Sequence, residues 1–154
     1  MRKPIAVTAA LVAAFVGYSA WHRHSATSDR ALVRDRVWID HMPRDQRETV
    51  NVFVMVSEQS AGVFNAQSAW RGAYELFRFE QSGEEIRMVF PQTGDRDRVR
   101  ATARRCDERG FDFCLELSGA SRGVKRYFSR EGWELRTLDD TRARLDAIEQ
   151  HAEP

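Results

Sequence analysis

Apolar residues recur with a period of two from about residue 35 to residue 130, and turn-forming residues interrupt each run before a helical repeat can start. Side chains on a strand point alternately to its two faces, so this pattern predicts short strands that are each half buried. Val37, Ile39 and His41 alternate with Arg36, Trp38 and Asp40, and the polar stretch 43–48 follows. Thr49 to Val56 carries valine at every even position. Residues 57–69 read as a polar loop around Gly62, Val63 and Phe64, and Trp70 to Glu80 as a long strand with aromatic residues on both faces. Ser82-Gly83 turns the chain into a strand bearing Ile86, Met88 and Phe90. Beyond the turn at 91–95, Val99, Ala101 and Ala103 alternate with Arg98, Arg100, Thr102 and Arg104. After Asp107 to Gly110, Phe111, Phe113, Leu115 and Leu117 alternate with Asp112, Cys114 and Glu116. Val124 to Arg130 closes the series.

Strands joined by short turns, with no helices between them, pair antiparallel. The expected fold is mainly β: a small antiparallel barrel or sandwich of about seven to eight strands, either of which limits exposed strand edges. The tail departs from the pattern. Thr137-Leu-Asp-Asp140 resembles a helix cap, and Leu138, Leu145 and Ile148 recur at helical spacing. A short C-terminal helix lying on the domain surface is expected, running to about Gln150.

The N-terminus obeys a different rule. Arg2 and Lys3 precede a stretch from Pro4 to Trp21 without a charged residue, which His22, Arg23 and His24 end. At about 1.5 Å per residue, such a helix just spans a hydrocarbon core. Tyr18 and Trp21 stand at its end, where aromatic rings favour the interface. The reading is an uncleaved signal anchor, a transmembrane helix that leaves the domain outside the cytoplasm. The alternative is a signal cleaved near Gly17-Tyr18-Ser19, which would release a secreted domain. The expected layout is a signal anchor over 1–24, a linker over 25–34, the β domain over 35–136, and the helix and tail over 137–154. In a bacterium this places a single-pass protein in the inner membrane with its domain in the periplasm.

Residues 1–28 hold Arg2, Lys3 and Arg23 and no acid, so the chain's net charge of +1 becomes slightly negative over the rest. A near-neutral domain lacks the basic footprint of a nucleic-acid binder. Lysine occurs only at positions 3 and 125. This is read as compositional bias, with anion recognition by guanidinium forks as the alternative.

The segment Ser68-Ala-Trp-Arg-Gly-Ala-Tyr74 resembles the lipocalin and calycin superfamily, in which Gly-x-Trp marks an early barrel strand and an Arg near the last strand packs against that Trp. Trp70 matches the Trp, and Arg126 or Arg130 the Arg. Ser68 stands where the family has Gly, and at least two strands precede Trp70 where the family has few or none. The resemblance implies a barrel with a central cavity for an apolar ligand.

No GxSxG elbow, glycine-rich phosphate loop or HExxH motif occurs. No cofactor is expected. Neither is a metal, because His22 and His24 stand alone and neither cysteine has a neighbouring histidine or CxxC spacing. His41 shares parity with Val37 and Ile39, which places it inward, where an imidazole beside a carboxylate such as Asp40 suits acid–base work. Arg126 shares parity with Val124 and Phe128 and is also expected inward. Trp70, Tyr74, Phe77 and Phe79 are expected in the core. His41, Trp70, Tyr74 and Arg126 are the candidate ligand-binding residues. The expected function is non-catalytic binding of a small apolar ligand or an envelope partner protein, with an enzyme built on His41 as the alternative.

By parity Cys106 and Cys114 both face out of the core, and an exported domain meets an oxidising compartment, so a disulfide is expected between them. The preferred register sets them directly opposite each other across a three-residue loop at 109–111. The rival register puts the loop at 108–110, sets Cys106 against Asp112 and leaves the cysteines diagonal.

Overall fold

The computed structural model describes residues 29–68, 71–135, 147, 148 and 150. A 3-10 turn, Arg30–Val33, leads into eight strands: β1 Arg36–Ile39, β2 Val50–Val56, β3 Ala61–Gln67, β4 Gly72–Ser82, β5 Glu85–Val89, β6 Arg96–Glu108, β7 Phe111–Ser118 and β8 Arg126–Ser129. Each strand pairs antiparallel with the next, and β8 returns to β1, closing the meander into a barrel. The β1–β8 seam is short. Beyond the pair Ile39–Phe128 it continues through Glu134 opposite Arg36 and through the bonds Val37 N to Trp133 O and Leu135 N to Asp35 O.

All eight strands contribute to one interior cluster, which includes Trp38, Phe53, Met55, Phe64, Phe77, Phe79, Ile86, Met88, Val99, Ala101, Leu115, Leu117 and Tyr127. A second cluster lies outside the barrel wall. Val37, Ile39, Val50, Val52, Val54 and Phe128 pack there beneath Leu135 and Ile148. Ala147, Ile148 and Gln150 are helical, and Ile148 is only 7% exposed, so the chain after β8 folds back and roofs this wall.

Several expectations need correction. The stretch 57–69 is not a loop, since β3 runs through it. Of its inward positions Gly62, Phe64 and Ala66, only Phe64 is large, and one large residue shows no apolar alternation. Gly62 is required there, because a Cβ would lie 2.3 Å from Phe77 Cζ and 2.5 Å from Val54 O. Within the expected linker 25–34, residues 29–34 belong to the domain: Asp29 N bonds Ala103 O at 2.9 Å, and Val33 is fully buried in the interior cluster. Val37 and Ile39 face the outer cluster, and the interior side of β1 carries Trp38 and Arg36. Alternation marks two unlike faces, and here the roof makes the outer face apolar too.

Cys106 and Cys114 form a disulfide with Cα atoms 5.7 Å apart. The register is the rival one: Arg104 opposes Cys114 and Arg105 opposes Phe113, so the cysteines are diagonal. A register shift between Arg105 and Glu108 then makes Glu108 oppose Phe111. That leaves a two-residue turn, Arg109-Gly110, with φ of 55° and 76°. Positive φ at both central positions is the turn that matches strand twist in a hairpin, and Gly110 meets it without strain. The irregularity also re-aims Phe111, expected inward with Phe113, onto the outer cluster, where it stacks on Phe128 at 5.2 Å.

The N-terminal segment 1–28 lies outside the described residues. Among the described residues no helix is long and apolar enough to cross a membrane.

Candidate functional site

Three regions bear on function: the barrel interior, the β1–β2 connection with His41, and the outer wall. The interior is filled by rings. Phe53 lies 5.0 Å from Phe64, 6.0 Å from Phe77 and 5.6 Å from Tyr127, and Phe77 lies 5.9 Å from Phe90. These are contact distances for aromatic pairs, which leave no gap for a ligand between them. Tyr127 is fully buried, and its hydroxyl accepts a bond from Val124 N at 3.0 Å. Burial pushes that phenol up to about 12, outweighing the Val124 bond that acts the other way.

An arginine closes each end. At the end where β1 begins, Arg36 is 4% exposed and lies 4.1 Å above the Phe113 ring. It donates to Arg130 O at 2.7 Å, to Ser129 Oγ at 3.4 Å and to Glu134. At the opposite end, Arg122 lies 3.9 Å above the Phe90 ring and pairs with Glu75 and with Asp95 at 2.6 Å. The Arg122 bond holds the Asp95 carboxyl below its ordinary range. Such buried or stacked guanidiniums need both ring and carboxylate to offset lost hydration.

His41 stands two residues beyond the end of β1. Its Nδ1 lies 2.9 Å from Asp40 Oδ1 and its Nε2 3.4 Å from Glu48 Oε1. Asp40 also accepts bonds from Asn51 N at 2.9 Å and Asn51 Nδ2 at 2.6 Å, which fasten the start of β2 to the end of β1. Glu48 accepts from Arg44 N at 2.8 Å, Arg44 Nη2 at 2.8 Å and Arg44 Nε at 3.3 Å. The Arg44 side-chain bonds, then its backbone bond, hold the Glu48 carboxyl down at about 2. The geometry expected of a histidine–carboxylate pair is therefore present. Both carboxylates are also occupied by the chain's own donors, and among the described residues no serine, threonine or cysteine is bonded to His41. The imidazole does not enter the barrel interior, as the inward reading required.

Arg126 is likewise not inward. It points out of the wall, 5.3 Å from the Phe128 ring, and pairs with Glu108. Tyr74, expected in the core, is 68% exposed, whereas Phe77 and Phe79 are interior. Trp70 lies outside the described residues, in the connection between Gln67 and Gly72. His41, Tyr74 and Arg126 do not converge on one site. No group of three or more His, Cys, Asp or Glu side chains that could hold a metal gathers among the described residues.

The outer wall carries what the sequence reading passed over. Gly72 to Leu76 are exposed on both sides of β4, so the far end of the β3–β4 hairpin stands clear of the barrel, presenting Tyr74 and Leu76, the latter 47% exposed. Further along, the outward residues of β4, β5 and β6 include Arg78, Arg87, Arg96, Arg98, Arg100 and Arg104, with Glu80, Ser82, Glu85, Val89 and Thr102 interspersed. The signal is legible in the arginines that alternate with Val99, Ala101 and Ala103. Comparison with family models, with curated proteins and with solved structures finds no match for this chain.

Proposed function

We propose that this chain is a membrane-anchored, extracytoplasmic and non-catalytic β-barrel module that docks a partner protein of the envelope through its outer surface. The observation that carries the reading is the filled interior, stacked with rings and capped by Arg36 and Arg122. Where the described rings occupy the interior, the outside is the surface left for contacts. Tyr74 and Leu76 on the free part of the β3–β4 hairpin are the apolar contacts offered there. The Cys106–Cys114 bond supports an oxidising compartment. The charge-free run from Pro4 to Trp21 supports an anchor in the bacterial inner membrane, with the domain in the periplasm. Kinship with the lipocalin and calycin superfamily belongs to this proposal only as shape, a closed antiparallel meander.

Native mass spectrometry of the full chain, purified in detergent from its source membranes, tests the reading. A co-purifying polypeptide that is lost on Tyr74→Ser/Leu76→Ser, but retained on Arg47→Gln, supports it. A stoichiometric apolar small molecule would replace it with the ligand-binding reading. The second reading, an enzyme using His41, rests on the 2.9 Å approach of His41 Nδ1 to Asp40. It requires an activity that His41→Gln abolishes without lowering the melting temperature.

A further inference from the structure

The arginine wall is positioned by where the chain enters the barrel. Asp29 N bonds Ala103 O, so the segment arriving from the N-terminus meets the domain on β6, the strand whose outward side carries Arg96, Arg98, Arg100 and Arg104. Arg30, in the turn that follows, lines a groove with Arg98 and Arg100. Residues 22–28 separate Asp29 from the end of the charge-free run, a reach of at most about 25 Å. That is less than the roughly 43 Å run of the 13-residue β6, so an anchor at 5–21 holds this wall, rather than the β1–β2 connection, near the bilayer.

The wall carries more guanidiniums than its carboxylates match: Glu80 opposes Arg87 and Glu85 opposes Arg100, while Arg78, Arg96, Arg98 and Arg104 have no acid across from them. Arg87 directly opposes Arg98, and two like charges at opposed positions destabilise a sheet. Glu85 is shared between them, at 3.3 Å from Arg87 and 3.6 Å from Arg98. Arg78, Arg96, Arg100 and Arg104 have no ion pair or ring partner among the described residues. Arg78 and Arg96 flank Val89, 40% exposed, in one cross-strand row. Guanidinium forks around an exposed aliphatic side chain match a surface of phosphate oxygens over hydrocarbon.

We propose that the outer wall of β4–β5–β6 seats on the headgroups of anionic phospholipids, fixing the barrel on its side against the membrane that anchors it. This rests on the anchor reading above. The orientation turns the β1–β2 connection and the roofed wall away from the lipid.

The full chain reconstituted in vesicles tests it, by labelling arginines with phenylglyoxal and reading each site by mass spectrometry. In vesicles of phosphatidylcholine with about one third phosphatidylglycerol, Arg87, Arg96, Arg98 and Arg100 should be labelled about tenfold more slowly than in pure phosphatidylcholine. Arg44 and Arg47, in the β1–β2 connection turned away from the lipid, should be unchanged. Raising salt to about 1 M, where the screening length falls to about 3 Å, should erase the difference. Arg87→Gln/Arg96→Gln/Arg98→Gln, exposed positions whose fold is checked by melting, should restore fast labelling of Arg100. Equal rates in the two vesicle types, with the chain retained after carbonate washing, overturn this inference and leave the anchor reading standing. Release by carbonate overturns both. Stronger protection by a soluble polyanion or acidic protein than by anionic vesicles assigns the wall to another partner and overturns the bilayer proposal.

Discussion

The barrel has two outer walls built by the same alternation. On the β8–β1–β2 side the outward residues are Val37, Ile39, Val50, Val52, Val54 and Phe128, and the chain after β8 covers them with Leu135 and Ile148. On the β4–β5–β6 side six of them are arginine, and no segment of the described residues covers them. The first wall is a second core, and its worth is apolar area removed from water. The second gives folding little, because exposed charges in high dielectric contribute weakly and the Arg87–Arg98 opposition works against the sheet. The difference teaches that one wall belongs to stability and leaves the other free for contacts outside the molecule.

The largest effect should come from unroofing the first wall. Ile148→Ala should lower unfolding free energy by about 2–4 kcal/mol. Arg78→Gln or Arg96→Gln should stay within about 0.5 kcal/mol of the parent. Urea denaturation of each variant decides this, and a comparable loss on the arginine wall would dissolve the contrast. Next is the disulfide, which ties the β6–β7 hairpin beside the roofed wall. Cys106→Ser/Cys114→Ser should lose about 2–3 kcal/mol, consistent with its short loop. An unchanged urea midpoint would show that the hairpin turn and Phe111–Phe128 stacking hold this edge unaided.

A smaller effect of opposite sign sharpens the contrast. Arg98→Gln removes a like-charge opposition and should stabilise by about 0.2–1 kcal/mol at low salt, with the gain fading as salt is added. Destabilisation instead would mean that Arg98 serves the fold through Glu85. The smallest effect belongs to the paired charges at the β1–β2 connection. The Glu48 carboxyl titrates at about 2 in the folded chain against 4.5 ordinarily. Its contribution is therefore fully present above about pH 4.5 and is lost as pH falls through about 2. Glu48→Gln should flatten that part of the acid melting curve and leave the profile near neutral pH unaltered apart from a constant offset.

The sequence by itself determined the antiparallel all-β layout, because a period of two interrupted by short turns admits little else. It also determined that Cys106 and Cys114 share a face, since parity survives a register shift of two. It could not say which face of β1, β2 or β8 is the interior. Alternation records that two faces differ, and Val37 with Ile39 is as good an inside as Trp38. Closure decided it: the large side chains Trp38, Phe53 and Tyr127 fill the barrel, and the smaller valines suit a shallow layer under a covering segment. The same inversion carried His41 and Arg126 out of the interior to which parity with Val37, Ile39 and Phe128 had assigned them. β3 was hidden because Gly62 must be small where Phe77 crosses, which leaves Phe64 as its one large inward residue and no apolar alternation. Register between β6 and β7 was set by the Arg109-Gly110 turn, whose left-handed geometry outweighed direct opposition of the cysteines. The arginines of β6 were plain in the sequence, but only the registers of β4, β5 and β6 make them one wall, because pairing sets the outward residues of successive strands about 5 Å apart.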